Sequence, residues 1–141
     1  MRILLAATAV ALASAPAYAQ ARGDYTFINQ TAHDLDLTVN TFFGNHFFPD
    51  PLLAFSSDTG FAEPSVTNLT GTIRYVNDDG TGCSFQTQVF WNPNPPPGFW
   101  TFAINPTAVG DDPEDVICDV QFTSQDPGTG EFEVDLTIGG F

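Results

Sequence analysis

Clustered carboxylates are the side chains whose spacing in this sequence could do chemistry most directly. Four acids fall within five residues of one loop-like segment. Calcium takes about six to eight oxygen ligands, and clustered carboxylates relieve their mutual repulsion by binding it. The spacing therefore predicts a calcium site formed by Asp111, Asp112, Glu114 and Asp115. The alternative is a solvated acidic loop, in which case no cofactor is expected.

A second acidic motif, Asp58-Thr59-Gly60, resembles the Asp-Thr-Gly of aspartic proteases. In that family two carboxylates share a proton and activate water. The resemblance covers three residues. Ser56 and Ser57 precede the motif where the family has apolar residues, and Phe61 follows it where the family favours a small residue. The resemblance implies a small secreted hydrolase with paired carboxylates, and the non-catalytic interpretation is a turn in a loop.

Other catalytic motifs are absent from the sequence. It contains no Gly-x-Ser-x-Gly elbow, and His33 and His46 stand apart without a partner at metal-ligand spacing. None of the acids has a neighbouring group that would tune it as a general acid or base. The sequence thus favours a protein that is not an enzyme, with the paired-carboxylate hydrolase as the alternative.

Pairs of consecutive aromatic residues are the best indication of a binding surface. Neighbouring side chains on a strand point to opposite faces, so one member of each pair must lie outside the core or under a loop. Aromatic rings exposed beside Asn, Asp and Gln are typical of surfaces that stack on sugars. The predicted ligand surface comprises Phe43, Phe48, Trp91 and Trp100. The alternative is that these rings only fill the core.

The charge balance restricts the partners. The sequence has three Lys and Arg residues against 17 Asp and Glu, a formal net charge of −14. Binding to nucleic acid depends on basic side chains that neutralise phosphates, so it is not expected. A glycan or a basic protein is compatible with this charge. The charge also has a simpler role, since strongly charged surfaces keep exported proteins soluble.

Alternating apolar and polar residues predict an all-β fold. The clearest alternation covers residues 34–40, 83–91, 116–123 and 131–138, and weaker alternation covers 25–29, 71–77 and 100–105. Turn residues separate these segments, whereas residues 42–61 show no regular pattern. About seven short strands of this spacing indicate a single antiparallel β-sandwich, immunoglobulin-like or jelly-roll-like.

The two cysteines predict one disulfide, Cys83–Cys118. Cα atoms joined by a disulfide are rarely more than about 7 Å apart. Two strands separated by a third in a flat sheet lie roughly 9.6 Å apart. The strands of Cys83 and Cys118 should therefore be direct neighbours or face each other across the sandwich, which excludes a simple meander through the strand of Trp100.

The first 19 residues predict a cleavable signal peptide. Arg2 precedes an apolar run over residues 3–13, and Ala17-Tyr18-Ala19 matches the small-x-small cleavage pattern. The run is too short to span a bilayer, which takes roughly 20 apolar residues, so no membrane span is expected. The Ala-rich run favours a bacterial host and a periplasmic or extracellular location.

Cleavage would leave residues 20–141 as one β-sandwich domain with two arginines against 17 carboxylates, a net charge of about −15. We expect an exported, non-catalytic binding or structural module for a glycan or protein ligand. The alternatives are the hydrolase and an adhesion-type module stabilised by calcium.

Overall fold

The computed structural model describes residues 21–63 and 68–141, so the predicted signal peptide lies outside the described residues. Within them no helix is long and apolar enough to cross a membrane. The described elements are a 3₁₀ turn at Pro113–Asp115 and the strands β1 Arg22–Asn29, β2 Asp36–Asn40, β3 His46–Phe47, β4 Ser56–Ala62, β5 Leu69–Val76, β6 Gly82–Asn92, β7 Phe99–Val109, β8 Ile117–Gln125 and β9 Glu131–Gly139.

Each of the seven predicted strands is present, with ends that differ by a few residues. Two strands, β3 and β4, lie in the segment that the sequence left irregular. β4 reads Ser-Ser-Asp-Thr-Gly-Phe-Ala, which lacks an alternating apolar face. It is a strand because it pairs with β1 along its whole length, from Ser56 to Ala62. Tertiary pairing therefore overrides the weak local preference of this segment.

The strands form two packed sheets, which confirms the predicted all-β sandwich. One sheet has the order β3-β4-β1-β9-β8 and the other has the order β2-β5-β6-β7. The second sheet is antiparallel throughout. In the first sheet β1 and β9 run parallel, whereas the other strand pairs are antiparallel.

Aromatic rings fill much of the space between the sheets. Tyr25 lies at the centre of this packing, with its ring 5.4 Å from that of Phe48 and 5.7 Å from that of Phe132. The Phe27 ring lies 5.2 Å from the Tyr75 ring of the opposite sheet. Such edge-on and tilted pairs add to the free energy that comes from removing the rings from water. One member of most consecutive aromatic pairs is therefore buried in the core.

The disulfide joins the two sheets, as predicted. Cys83 begins the core face of β6, and Cys118 lies on β8 at the edge of the other sheet, with 5.7 Å between their Cα atoms. Stacked sheets are usually about 10 Å apart. The sheets therefore approach each other at this edge, and the meander through Trp100 is excluded as expected.

Two buried tyrosine hydroxyls lead to a prediction about pH. Burial raises the pKa of Tyr25, whose hydroxyl shares a 2.9 Å hydrogen bond with Thr87. Burial, together with the carboxylates of Asp50 and Asp58, raises the pKa of Tyr75, which donates to the Pro49 carbonyl at 2.6 Å. The folded state disfavours both phenolates. Stability should therefore be complete below the ordinary pKa of about 10 and decline as the pH rises above it.

The chain from Gln20 onward has only these two tyrosines, so tyrosinate absorbance reports them directly. The native titration curve is expected to lie at higher pH than the curve measured in denaturant. Coincident curves would contradict the burial of both hydroxyls.

Candidate functional site

Three of the four strands of the second sheet carry no acid, and the edge strand β2 carries only Asp36. β5, β6 and β7 contain no Asp or Glu, although the chain has 17 of them. The outward side chains of these strands include Thr70, Thr72, Arg74, Ser84, Gln86, Gln88, Thr101, Asn105 and Thr107. By contrast, the outer face of the other sheet carries Asp24, Asp119, Glu131, Glu133 and Asp135. The two faces of the sandwich therefore offer different surfaces to a ligand.

A groove of about 300 Å³ lies on the outer face of β5 and β6, the two central strands of this sheet. Its floor is formed by paired positions of β5 and β6, with Thr72 opposite Gln86 and Thr70 opposite Gln88. Phe43 borders the groove and is 80% exposed, the largest exposed fraction among the large apolar side chains of the described residues. The site therefore combines an aromatic ring with neutral hydroxyl and amide groups.

Phe43 points outward because Phe42 is held in the core. Gly71 occupies an inward position of β5, and a Cβ atom there would lie closer than 3.0 Å to three carbons of the Phe42 ring. The missing side chain of Gly71 thus leaves the space that Phe42 fills, and Phe42 is only 6% exposed. In extended backbone the next residue faces the other way, which directs Phe43 toward the groove.

Hydrogen bonds fix the loop that carries Phe43. The backbone amide of Thr41 donates to the Thr72 carbonyl at 3.0 Å, and the Thr72 amide donates to Thr41 Oγ1 at 2.8 Å. His46 joins the two ends of the loop, since one ring nitrogen lies 3.1 Å from Asn40 Nδ2 and the other lies 3.0 Å from the Gly44 carbonyl. A loop ordered before binding loses less conformational entropy when a ligand arrives.

The aromatic pairs follow the alternation that the sequence predicts, but two residues of the predicted surface were wrong. Phe48 and Trp100 are 5% and 2% exposed, and both belong to the core. Trp91 is half-buried, because it lies on the same face of β6 as the core residues Phe85 and Val89. Phe43 is the residue of the predicted set that the structure exposes.

The predicted calcium ligands are all exposed, but they do not form a coordination shell. Asp111, Asp112, Glu114 and Asp115 surround the 3₁₀ turn. In residues 21–63 and 68–141, no three His, Cys, Asp or Glu side chains are grouped so that they could hold a metal ion. Asp111, Asp112 and Asp115 border the same open depression of about 530 Å³ without forming such a group. The geometry does not support the predicted site.

Acidic residues instead line two open depressions at one end of the sandwich, of about 600 and 530 Å³. His33, Asn77 and Asp79 border both of them. The His33 ring stacks on the Phe141 ring at 5.9 Å. A solvated acidic surface explains this end without a ligand, and binding of a basic protein there stays a prediction.

The Asp-Thr-Gly motif lies within β4 rather than in a turn. Asp58 pairs with Phe27 of β1 and is exposed, and its carboxylate accepts a hydrogen bond from the Thr59 amide at 2.8 Å. Carboxylates that share a proton are positioned against one another by the fold. Asp58 borders an open depression of about 450 Å³ together with Asp24 and Glu133, and its exposed position leaves the carboxylate unshielded from solvent.

Sequence reasoning missed the polar floor of the groove, although a signal for it was present. The predicted strand 83–91 has Ser84, Gln86 and Gln88 on its polar face, whereas the strand 131–138 has Glu131, Glu133 and Asp135. A strand with a neutral polar face is unusual in a chain of this charge. The contrast between these two polar faces distinguishes the two outer surfaces of the sandwich by residue type alone.

Fold and site together define a two-sheet β-sandwich with an inter-sheet disulfide and a neutral groove on one outer face. No family model and no curated protein matches the chain. Among solved structures it is similar to that of IP-1A from Alcaligenes faecalis, with 13% identity and a TM-score of 0.58. The match covers 87% of this chain and 92% of that one. At this identity the likeness shows the fold alone.

Proposed function

We propose that the protein is a non-catalytic binding module that holds a glycan in the groove beside Phe43. The observation that carries the proposal is a strongly exposed aromatic ring beside β5 and β6, two strands without acids in an otherwise acidic protein. The apolar faces of sugars stack on aromatic rings, and their hydroxyls need neutral donors and acceptors nearby. The groove offers both in one place.

The polar groups of the groove are free to bind. Within the described residues, the side-chain amides of Gln86 and Gln88 make no hydrogen bond to the protein, although they lie side by side on β6. Each amide has donors and an acceptor, which suits a sugar hydroxyl that must do both. The neighbouring Thr70 adds a hydroxyl on β5.

The rigidity of the groove supports the same function. Its floor is a hydrogen-bonded pair of strands, and its rim is the loop fixed by Asn40 and His46. Binding sites on rigid elements lose little entropy when they bind a ligand. A shallow groove of this kind fits a glycan chain better than a small molecule that must be enclosed, since ligand pockets usually bury most of the ligand's surface.

Replacing Phe43 by alanine tests the proposal. Burying a phenylalanine side chain is worth roughly 1.5–3 kcal/mol, so Phe43→Ala is expected to weaken glycan binding about 10- to 100-fold. The variant should unfold like the wild type, within about 0.5 kcal/mol, because the ring is exposed. A glycan array with neutral, uronate-containing, sialylated and sulfated glycans identifies the ligands, and titration calorimetry measures their affinities.

Phe55→Ala is the matched control, because Phe55 is also strongly exposed, at 73%, but lies beside β4 on the other sheet. It should bind glycans like the wild type. The proposal fails if a well-folded protein binds no glycan on the array, or if Phe43→Ala and Phe55→Ala have the same effect.

A further inference from the structure

Within the described part of this strongly acidic chain, the Arg74 guanidinium has no ionic partner. It lies on the outer face of β5, opposite Ser84 of β6 and Val39 of β2. Among residues 21–63 and 68–141, its guanidinium forms no ion pair and no hydrogen bond, and its Nε is buried. A buried donor without an acceptor is disfavoured, so the group is suited to an acceptor supplied from outside the chain.

The other arginine in these residues shows how this chain satisfies a structural cation. Arg22 lies 3.1 Å from Asp24 and 2.6 Å from Glu63, and its guanidinium lies 4.5 Å from the centre of the Phe61 ring. The chain has 17 carboxylates that could form an ion pair of this kind with Arg74. Instead, β5, β6 and β7 contain no acid, and Asp36 of β2, which pairs with Val76, forms no ion pair with Arg74.

Arg74 extends the floor of the groove. Thr70, Thr72 and Arg74 project from the same face of β5, and alternate residues of a strand are roughly 6.6 Å apart. Arg74 is therefore about 13 Å from Thr70 along the strand and next to the Thr72–Gln86 pair. A glycan chain that lies along β5 could therefore contact both Phe43 and the guanidinium.

We propose that the bound glycan is acidic and that Arg74 donates hydrogen bonds to its anionic group, one sugar unit away from the ring stacked on Phe43. The inference rests on the proposed function and specifies its ligand class. A planar guanidinium recognises a carboxylate or sulfate with two parallel hydrogen bonds. β5, β6 and β7 contain no acid that would repel such an anion, and exposed charges further than about 8 Å apart are largely screened by salt.

Matched pairs of glycans test the inference. The probes are sialyllactose with lactose, oligogalacturonate with its methyl ester, and sulfated lactose with lactose. For the pair that the protein recognises, the charged member is expected to bind at least tenfold more tightly than the neutral one. The three pairs also distinguish a carboxylate from a sulfate as the recognised group.

Arg74→Gln is expected to remove the preference, so that both members of the pair bind equally, and Arg74→Lys should restore only part of it. Arg22→Gln removes the same charge from the other sheet and should keep the preference. Circular dichroism and a thermal melt of each variant show whether it folds.

Each outcome separates the two proposals. If Phe43→Ala weakens both members of a pair while Arg74→Gln leaves the preference intact, the role of Arg74 is overturned and glycan binding stands. Equal binding of charged and neutral members by the wild type would also overturn the role of Arg74 and leave glycan binding standing. If no pair and no array glycan binds, both proposals fall.

Discussion

Reduction of the Cys83–Cys118 disulfide is expected to lower the free energy of unfolding by about 4 kcal/mol. The two cysteines are 35 residues apart in sequence, and the value follows from the chain entropy that a closed loop of this length removes from the unfolded state. Domains of this size are stabilised by only about 5–15 kcal/mol, so the loss is a large share of the total. The melting temperature should fall by roughly 12–20 °C.

The position of the bridge determines which strand is destabilised first when the disulfide is reduced. β8 is the edge of its sheet and pairs only with β9, so the disulfide is its covalent tie to the opposite sheet. Hydrogen exchange after reduction should be faster in β8 than in β5 or β6. Denaturant unfolding with and without reductant measures the overall effect, and unchanged curves would contradict the predicted contribution of the bridge.

The proposed glycan binding provides an internal control for this experiment. The groove beside Phe43 is formed by the loop after β2 and by β5 and β6, away from β8. Reduced protein kept well below its melting temperature should therefore bind glycans with the affinity of the oxidised form. A loss of binding before unfolding would show that the groove depends on the bridge.

Gly71→Val is expected to abolish glycan binding and to lower the free energy of unfolding by about 1–3 kcal/mol. The new side chain would overlap the ring of Phe42, because even a Cβ atom there lies too close to it. Overpacking of a filled core costs about this much. Displacing Phe42 also moves the adjacent Phe43, so binding is lost together with stability.

A double-mutant cycle with Phe42→Ala separates this mechanism from a general defect. Phe42→Ala alone should cost about 3–5 kcal/mol, because it leaves a cavity in the core. In the double variant the valine occupies part of that cavity, so the total loss should be smaller than the sum of the single losses. Additive losses would show that Gly71 and Phe42 are not coupled.

Thr59→Val is the matched control for the added methyl groups, because Thr59 is exposed on β4 of the other sheet. It should change the free energy of unfolding by less than about 0.5 kcal/mol and leave binding intact. Denaturant melts and titration calorimetry of the wild type and the four variants complete the comparison.

The strands and the disulfide were predictable because they follow from local rules. Alternation of apolar residues marks a half-buried strand wherever it occurs, as in Phe132, Val134, Leu136 and Ile138 of β9. The pairing of two cysteines has a single solution, and the reach of a disulfide then constrains the topology. β3 and β4 could not be predicted in this way, since their pairing with distant strands, rather than their own residues, makes them extended.

Within the candidate site, the sequence could indicate that one ring of each aromatic pair is exposed, but it could not choose the ring in every pair. The choice at Phe42 and Phe43 depends on the space above Gly71, 28 residues further along the chain from Phe43. The same holds for Phe48, which is buried because its ring packs against Tyr25 and Phe27 of β1.

By itself the sequence determined the all-β class, the pairing of the two cysteines and the strongly acidic charge, because composition and alternation act locally and require no knowledge of neighbours. Only the tertiary structure decided that the bridge joins the two sheets, that the acid-free strands β5, β6 and β7 lie side by side, and that Arg74 lies beside the groove of Phe43. Those facts depend on the pairing of the strands and the packing of the two sheets. Strand register brings together side chains that are far apart in the chain, and no local rule specifies it.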